Sequence, residues 1–387
     1  METNNLLVIC NTFPDISDKY IGSIFIKEQL NYLKYYFDDI YVLAPAPFGI
    51  EYKRKTRHVD YEFDNVHVFF PRYINNPLFY LYGRDFWIYL ENKAICKFLI
   101  NNKIKFNIIH AHYTWPAGKI AINIKKETNV PVVITEHSSD TFHDAANRRD
   151  PNFVVPWKQC DAIIRVRKGD INLFNSCGID LKKVHYIPNG FDGKKFYKME
   201  SEFCREKLNL PYDKKIILNI ANLYDECKGH RYLIESIDKI LKYDKNAICL
   251  IIGEGRLRKN LENQIKRLGI EDNIKLLGNR SHDEIPIWIN ACDIFVLPSL
   301  NEGNPTVMFE CLGCEKPFIG TSVGGIPEII NSNDYGLLCK PADSSELGRL
   351  IKSSLAREWD YDKIGKYSKQ FTWKNIAKET MRVYESI

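Results

Sequence analysis

Short apolar runs alternate along the chain with longer stretches in which apolar residues recur at helical spacing. Runs of this length are typical of buried strands, and their alternation with amphipathic helices is typical of parallel sheets covered by helices. The predicted strands of the first half are 6–10, 40–44, 67–70, 108–112, 131–135 and 162–166. Those of the second half are 216–221, 247–253, 274–277, 294–298 and 317–320. The helices predicted between them include 23–36, 86–101, 117–127, 229–242, 256–268 and 304–314. The pattern predicts an α/β protein with two doubly wound domains.

The boundary between the domains is predicted where turn-forming residues interrupt this pattern. A Pro-Asn-Gly sequence at 188–190 follows the last strand signal of the first half. We therefore expect a first domain over 1–187 and a second over 188–355. Residues 356–387 carry no strand signal and are expected to form helices that cross back to the first domain, the last of them capped by Thr372. Because open α/β sheets bind ligands at the carboxyl ends of their strands, the chemistry is expected in a cleft between the two domains.

Length and composition exclude several classes of protein. A chain of 387 residues with 45% hydrophobic and 27% charged residues is typical of globular proteins and not of disordered or fibrous ones. The net charge of +5 is too small to indicate nucleic-acid binding, so no nucleic-acid partner is predicted. No apolar run is long enough to span a membrane, and the first one is too short for a secretory leader.

The cysteines indicate a reducing environment. There are eleven, an odd number scattered mostly through apolar runs, which is typical of free thiols in a cytoplasmic protein. One Cys-x-x-Cys pair, Cys311 and Cys314, lacks a second pair of ligands, so no metal site is predicted. The basic run 53–57 is compatible with contact to anionic lipid on the inner face of a membrane, and equally with a solvated loop.

The segment after the predicted strand 294–298 is the richest in candidate chemistry. Glu302 and Glu310 are separated by seven residues, the first in a loop and the second inside the helix that follows. Two carboxylates near free backbone N–H groups can hold the hydroxyls of a sugar and a ribose. The alternative is a carboxylate stabilised by the helix dipole and a second, solvated one. Gly324 and Gly325 also join a strand to a helix, which suits close approach of a phosphate.

Two other nucleotide-binding patterns are incomplete or absent. Gly253 and Gly255 follow a strand, but position 258 is Arg where a dinucleotide fingerprint has its third glycine. A P-loop of the form G-x-x-x-x-G-K-S/T is also missing. Both observations disfavour a dehydrogenase or a P-loop ATPase.

In order along the chain, these segments resemble the motifs of family-4 glycosyltransferases, retaining enzymes of the GT-B fold with two Rossmann-like domains facing across a cleft. The E-x7-E signature corresponds to 298–317 together with 320–328. Further matching segments are GSIFIKEQL (22–30), ITEHSSD (134–140), IPNGFD (187–192), NLYDECKG (222–229) and GEGRLRKNLE (253–262).

The resemblance implies a nucleotide-diphospho-sugar donor, UDP- or GDP-linked. No cluster of metal ligands is evident in the sequence, so no metal or other cofactor is expected. It assigns Glu310 to the donor ribose, and Glu302 to the donor sugar beside Gly303, Asn304 and Pro305.

The resemblance also implies roles on either side of the reacting bond. Lys228 would act on the leaving diphosphate as a point positive charge. Gly22 would let backbone approach the same diphosphate, and His137 would lie near the reacting sugar. We expect His137, Lys228 and Glu302 to act in catalysis. The other expected donor contacts are Asn222, Gly253, Glu254 and Arg256, and the expected acceptor contacts are His112, Tyr113 and Asp140.

Two positions depart from the family pattern. Asn222 stands where the family often has an arginine on the phosphates, and Arg256 or Arg258 is expected to replace that contact. Glu315 replaces a glycine at what should be a helix C-terminus, where a local adjustment is expected.

The alternatives to a glycosyltransferase are a GT-B epimerase and a non-catalytic nucleotide-sugar-binding subunit of a polysaccharide assembly complex. The predicted activity is retaining transfer to a glycan or lipid-linked acceptor in cell-envelope polysaccharide or glycolipid synthesis.

Two further features leave alternatives open. His110 and His112 lie two apart on a predicted strand and so point to the same side of it. They could form a metal-binding pair, or they could be polar groups near a cleft. The aromatic stretch 69–90 suits stacking on sugars, a surface for a lipid-linked acceptor, or a helix packed into the core.

Overall fold

The computed structural model describes residues 3–16, 22–48, 58–75, 78–79, 83–138, 140–243 and 245–387. The chain divides into two compact units. The first comprises Met1–Pro188 with Trp373–Ile387, and the second comprises Asn189–Thr372.

The first unit contains ten described strands. They are β1 (Asn5–Cys10), β2 (Asp39–Leu43), β3 (Ala46–Pro47), β4 (Tyr61–Phe63), β5 (Val66–Phe69), β6 (Arg72–Tyr73), β7 (Ile108–His112), β8 (Val132–Glu136), β9 (Ala162–Arg165) and β10 (Val184–Tyr186). Its described α-helices are α1 (Ile24–Leu33), α2 (Arg84–Asn101), α3 (Lys119–Thr128), α4 (Asp140–Arg148), α5 (Pro151–Gln159) and α6 (Ile171–Ser176), with one more from the end of the chain.

Eight of these strands form one sheet in the order β10-β9-β8-β7-β1-β2-β5-β4. Neighbouring strands are parallel except β4 and β5, and β3 pairs with β6 separately. Alternate residues of β1 pack into different hydrophobic cores. Leu7 and Ile9 belong to one core, and Leu6 and Val8 belong to the other. Both faces of the sheet are therefore covered, as the continuous apolar runs predict.

The second unit has a six-stranded parallel sheet in the order β13-β12-β11-β14-β15-β16. Its strands are β11 (Lys215–Ile220), β12 (Ala247–Ile252), β13 (Ile274–Gly278), β14 (Ile294–Leu297), β15 (Phe318–Thr321) and β16 (Gly336–Cys339). Its described α-helices are α7 (Ser201–Lys207), α8 (His230–Leu241), α9 (Arg258–Leu268), α10 (Ile285–Ala291), α11 (Thr306–Gly313), α12 (Ile326–Ile329), α13 (Ser344–Ala356) and α14 (Tyr361–Ser368). The order reverses between β11 and β14, which is the doubly wound arrangement that opens a ligand crevice at the strand ends.

The predicted α/β class with two doubly wound domains is confirmed. Each predicted strand is present, with each end within one residue of its prediction. The short strands β3, β4, β6, β10 and β16 were not predicted, because two to four residues give too little apolar pattern to distinguish a strand from a loop.

The last helix, α15 (Trp373–Tyr384), packs within the first unit. The Trp373 indole is 1% exposed and donates to Glu28 on α1, with Nε1 and Oε2 3.0 Å apart. Residues 356–372 belong to the second unit. None of the helices in the described part of the chain is long and apolar enough to cross a bilayer.

Candidate active site

Loops from several strands of the second unit meet at the carboxyl edge of its sheet. Gly229, with φ 68°, lies so close to the loop after β14 that a Cβ atom would be 1.9 Å from the Pro298 carbonyl oxygen. Gly324, with φ 58°, lies equally close to that loop, where a Cβ atom would be 2.0 Å from the Glu302 carbonyl oxygen. Only glycine permits this backbone and this approach, so the loops are held together at the residues that the sequence analysis selected.

Glu302 is a buried carboxylate with two donors on one oxygen. Lys228 Nζ donates to Glu302 Oε1 over 2.7 Å, and Ser299 Oγ donates to the same oxygen over 2.7 Å. The Lys228 side chain keeps 23% of its surface exposed, against 6% for Glu302. The pair therefore presents an ammonium group toward solvent above a fixed carboxylate, which suits the binding of a phosphate.

Lys228 is positioned by local structure. Asp225 accepts a hydrogen bond from the Cys227 backbone N–H at 2.9 Å, which closes a short turn over Glu226–Lys228. Gly229 then joins this turn to α8. The lysine thus lies beside the start of a twelve-residue helix, whose free N–H groups also favour an anion.

Glu310 contacts a histidine that the sequence analysis missed. Lys195 Nζ lies 3.0 Å from His282 Nδ1, and because an ammonium only donates, Nδ1 must be the acceptor. His282 Nε2 therefore carries the hydrogen and donates to Glu310 Oε1 at 2.9 Å. Lys195 also pairs with Asp283 at 2.7 Å. The Glu310 carboxylate is buried and oriented by this chain of contacts.

Asn304 joins the loop after β14 to the start of the second unit. Its Oδ1 accepts from the Asn189 backbone N–H at 2.9 Å, and its carbonyl accepts from the Asn189 amide at 2.7 Å. Asn304 Nδ2 is buried and has no hydrogen-bond partner among the described residues, so it is a donor available to a ligand. The Gly303 carbonyl accepts from Gly325 N–H at 2.8 Å, and Pro305 immediately precedes α11.

The turn after β12 holds the remaining donor-side positions. Gly253 N–H donates to the Gly278 carbonyl at 3.0 Å, and Glu254 accepts from Arg258 at 2.5 Å. Arg256 is exposed and its Nε donates to the Tyr224 carbonyl. Asn222 is exposed as well, and its Oδ1 lies 3.4 Å from the Tyr224 N–H.

The family often has a phosphate-binding arginine where this chain has Asn222. Arg256 and Arg258 differ in how free their guanidinium groups are to replace it. Arg258 also donates to the Leu276 carbonyl at 2.9 Å and to Glu262 at 2.9 Å, so its guanidinium is held by three groups. Arg256 is exposed and held through Nε. Arg256 is therefore the better placed of the two to bind a phosphate.

In the first unit, histidines lie at the ends of β7 and β8. His112 Nδ1 and His137 Nε2 are 3.0 Å apart, and their rings stack at 5.3 Å. Burial lowers the pKa of His137 to about 3 and holds the pKa of His112 well below its ordinary value. Both rings are therefore neutral at physiological pH, and one donates to the other. His137 Nδ1 and His112 Nε2 are buried with no hydrogen-bond partner among the described residues.

His110 belongs to the structural part of this cluster. It bonds Thr135 Oγ1 at 2.7 Å and the Tyr384 hydroxyl at 2.6 Å. Both ring nitrogens are thus satisfied inside the unit. The sequence left two interpretations of His110 and His112, a metal-binding pair or polar groups at strand ends. These contacts favour the second interpretation for His110.

A buried ionic network supports the end of β8. Glu136 accepts from Ser138 N–H at 2.7 Å and from Thr114 N–H at 3.1 Å. Arg165 donates to the Glu136 carbonyl at 2.7 Å and to Asp170 at 2.5 Å. The network fixes the backbone on both sides of His137. Sequence analysis missed it, although polar residues inside a strand signal are a sign of such pairing.

The remaining predicted positions lie at strand or helix ends of the first unit. Gly22 precedes α1, where the Ser23 and Thr12 hydroxyls are 2.8 Å apart. Tyr113 follows β7 with φ 72°, and its ring lies 5.1 Å from that of His137. Asp140 is exposed at the first position of α4. The basic run 53–57 lies outside the described residues.

Comparison with known proteins identifies the family. Residues 25–195 match the profile described as Glycosyltransferase Family 4, and residues 200–371 match that of Glycosyl transferases group 1. The chain belongs to the family-4 glycosyltransferases. Mannosylfructose-phosphate synthase of Agrobacterium fabrum is 24% identical over 323 residues, which is 75% of this chain and 70% of that protein.

Solved structures show that this glycosyltransferase has the GT-B fold. Sucrose-phosphate synthase of Thermosynechococcus elongatus superimposes with a TM-score of 0.80 at 19% identity, covering 99% of this chain and 98% of that one. The Anabaena protein HepE, solved with UDP-glucose, superimposes with a TM-score of 0.75 at 19% identity, covering 99% and 100%. The family resemblance and the fold expected from the sequence are both confirmed.

Proposed function

We propose that this glycosyltransferase transfers a sugar from a nucleotide-diphospho-sugar to a glycan or lipid-linked acceptor with retention of configuration. The proposal rests mainly on the placement of Lys228, Glu302 and Glu310 at the carboxyl edge of the sheet of the second unit. There Lys228 Nζ lies 2.7 Å from Glu302 Oε1. The UDP-glucose bound to HepE is consistent with this class of donor.

Each group in the second unit has a role in the proposal. Glu310, oriented by His282, accepts hydrogen bonds from the ribose hydroxyls. Lys228 transfers its contact from Glu302 to the diphosphate and stabilises the charge that grows there as the glycosidic bond breaks. Glu302 then holds a hydroxyl of the donor sugar, assisted by the unpartnered amide of Asn304.

Retention is proposed to occur by attack on the face from which the diphosphate leaves. The acceptor oxygen forms a bond to the anomeric carbon, the bond from that carbon to the phosphate oxygen breaks, and the acceptor proton passes to the departing phosphate. His137 is assigned to a hydroxyl of the reacting sugar, and its free Nδ1 is the atom that would bind it. His112, Tyr113 and Asp140 remain the proposed acceptor contacts.

A cytoplasmic location with peripheral membrane contact fits two features. All eleven cysteines are free thiols, as in proteins of reducing compartments. The first unit exposes Phe48, Ile74, Phe86 and Tyr89, and the Phe48 N–H bonds to the Tyr73 carbonyl next to Ile74 at 2.9 Å. Exposed aromatic and aliphatic groups of this kind suit a surface that meets a lipid-linked acceptor in envelope polysaccharide or glycolipid synthesis.

The donor site is tested by thermal shift with UDP-, GDP-, ADP- and CMP-linked sugars, with and without EDTA. A ligand at 100 times its dissociation constant stabilises a protein by about 2.7 kcal/mol, so we expect one nucleotide class to raise the melting temperature in either condition. A shift abolished by EDTA would contradict metal independence. The absence of any shift would contradict the proposed donor class.

Catalysis is tested with the Lys228→Ala and His137→Ala variants, and with Lys266→Ala as a control for loss of an exposed lysine of the second unit. We expect both site variants to lower turnover by about two orders of magnitude or more, as removal of groups acting on the transition state does. The control should retain full turnover. Donor binding without transfer or donor hydrolysis by the wild-type protein would instead indicate a non-catalytic nucleotide-sugar-binding subunit.

A further inference from the structure

The first unit contains a cavity that none of the predicted site residues lines. It has a volume of about 290 Å³ and lies beyond the carboxyl ends of β1, β2 and β5. This is close to the lower end of the roughly 300–1,000 Å³ of small-molecule pockets, so it has room for one small ring. The side chains that decide its chemistry are Phe13, His58, Phe70, Tyr73, Asn75 and Trp87.

The walls of the cavity are largely aromatic and rigid. Phe13 and Phe70 are buried, and the Phe70 ring lies 4.8 Å from that of His58. The half-buried Trp87 indole is held by two hydrogen bonds from Nε1, one to the Tyr73 hydroxyl at 3.1 Å and one to Glu91 Oε2 at 3.0 Å. Aromatic faces carry partial negative charge and attract the weakly positive C–H groups of a sugar ring.

The cavity also offers a polar atom that the protein leaves unused. Asn75 Oδ1 is buried and has no hydrogen-bond partner among the described residues. A buried acceptor of this kind is unfavourable unless a donor reaches it. A sugar hydroxyl supplies such a donor while the ring packs on the aromatic wall.

The charge of the lining favours a neutral ligand. None of the cavity residues that the structure describes is Asp, Glu, Lys or Arg. Glu91 lies behind Trp87, and burial raises its pKa to about 8, so it is protonated at neutral pH. Apart from the His58 imidazole, which is charged only when protonated, these groups offer a phosphate or carboxylate no counter-ion.

The cavity wall is tied to the loop that carries Tyr113. Asn11, at the end of β1, donates to the Trp115 carbonyl at 3.2 Å and accepts from the Ala117 N–H at 3.3 Å. A ligand in the cavity would therefore lie next to the proposed acceptor loop.

We propose that this cavity binds a neutral pyranose ring of the glycosyl acceptor, stacked on Trp87 with a hydroxyl donating to Asn75. The acceptor role rests on the proposed function, whereas binding of the ring can be measured without a donor.

The test is saturation-transfer NMR on the full chain with methyl glucoside, methyl mannoside and methyl galactoside as neutral probes, and glucose 6-phosphate as the anionic probe. We expect a neutral glycoside to bind. Trp87→Ala should weaken it about tenfold, the upper range for one aromatic contact, and Asn75→Ala should weaken it about fivefold. Tyr35→Ala is the control, because it removes an aromatic ring that is 71% exposed in the same unit and has no role in the proposal.

Three outcomes would overturn the proposal: no binding of any neutral glycoside, undiminished binding to both Trp87→Ala and Asn75→Ala, or binding of glucose 6-phosphate alone. If Trp87→Ala fails to fold by circular dichroism, Asn75→Ala and Trp87→Phe decide. The thermal shift with nucleotide-sugars distinguishes a failure of this cavity proposal from a failure of the proposed function. Glycoside binding without a nucleotide-sugar shift would contradict the proposed function alone, and the reverse result would contradict the cavity alone.

Discussion

At the scale of single residues, His282 positions Glu310, because it contacts Lys195 through one ring nitrogen and Glu310 through the other. Its tautomer follows from Lys195, which can only donate to Nδ1. The bond from Nε2 to Glu310 is charge-assisted, and such bonds contribute roughly 1.5–3 kcal/mol. The orientation of the carboxylate is therefore expected to affect donor binding more than the chemical step.

We predict that His282→Ala raises the donor KM about tenfold and changes kcat little, because the lost contact orients Glu310, the carboxylate proposed to bind the donor ribose. His282→Gln should recover part of the loss, since its amide can donate to Glu310. Steady-state kinetics at varied donor concentration measure both effects, and His185→Ala serves as a control histidine. An equal fall in kcat with an unchanged KM would contradict a positioning role.

Glu91 gives a second prediction at this scale. Burial raises its pKa from 4.5 to about 8, although Trp87 and Tyr73 donate hydrogen bonds to it. The folded protein therefore keeps a proton that the unfolded chain releases above about pH 4.5. The contribution of Glu91 to the free energy of unfolding is fully present below that pH, declines as pH rises and stops changing above about pH 8.

We expect Glu91→Gln, which stays neutral, to gain stability relative to the wild type as pH rises from about 4.5 to 8. Urea unfolding at several pH values measures the difference. Glu385→Gln, a change at an exposed carboxylate, is the control. A constant difference between Glu91→Gln and the wild type across this range would show that the carboxyl group is not held neutral.

At the scale of elements, the end of α11 explains how the chain accommodates Glu315. The Glu315 N–H donates to the Leu312 carbonyl at 3.0 Å, and the Lys316 N–H donates to the Cys311 carbonyl at 3.0 Å. This is the Schellman pattern, with Glu315 at the left-handed position with φ 61°. The expected local adjustment is thus a complete helix cap formed by a residue that disfavours its backbone conformation.

Glu315→Gly should raise the free energy of unfolding by about 1 kcal/mol, because a side chain in the left-handed region costs roughly 1–2 kcal/mol. The ion pair between Glu315 and Lys198, with 3.1 Å between the charged atoms, would be lost at the same time. Glu315→Ala removes the ion pair but keeps the Cβ atom, and chemical denaturation of both variants separates the two effects. Equal stability of the two variants would mean that the backbone is not strained.

At the scale of the whole molecule, the return of the last helix to the first unit joins the two ends of the chain. Trp373 lies in the same core as Leu6 and Val8. Gln29 on α1 donates to Thr380 at 3.2 Å, and the Tyr384 hydroxyl bonds to His110 at 2.6 Å. The first unit is therefore incomplete without residues 373–387, whereas the second is continuous in sequence.

We predict that Trp373→Ala destabilises the first unit by roughly 3–5 kcal/mol, the usual cost of such a cavity. Hydrogen exchange should accelerate in β1 and α1 and stay unchanged in β11 and β12. Tyr243→Ala, at a position 80% exposed in the second unit, is the control. Uniform acceleration across both units would contradict their separate stability.

The sequence alone determined the order of the elements, the two doubly wound sheets and the family. Apolar periodicity depends on neighbouring residues, so the strands and helices can be read from short segments. The motifs that contain Lys228 and Glu302 are short segments as well, and their order along the chain indicates the family. The roles assigned to the site residues remain predictions.

Only the tertiary structure decided which side chains meet. The ion pair of Lys228 with Glu302 spans 74 positions, and the bond of Trp373 to Glu28 spans 345. His282 and Asn75 carry no local motif, and they become candidates only because the fold places one on Glu310 and the other, unpartnered, in a cavity. Such contacts depend on strand order and on the packing of distant elements, which local pattern does not encode.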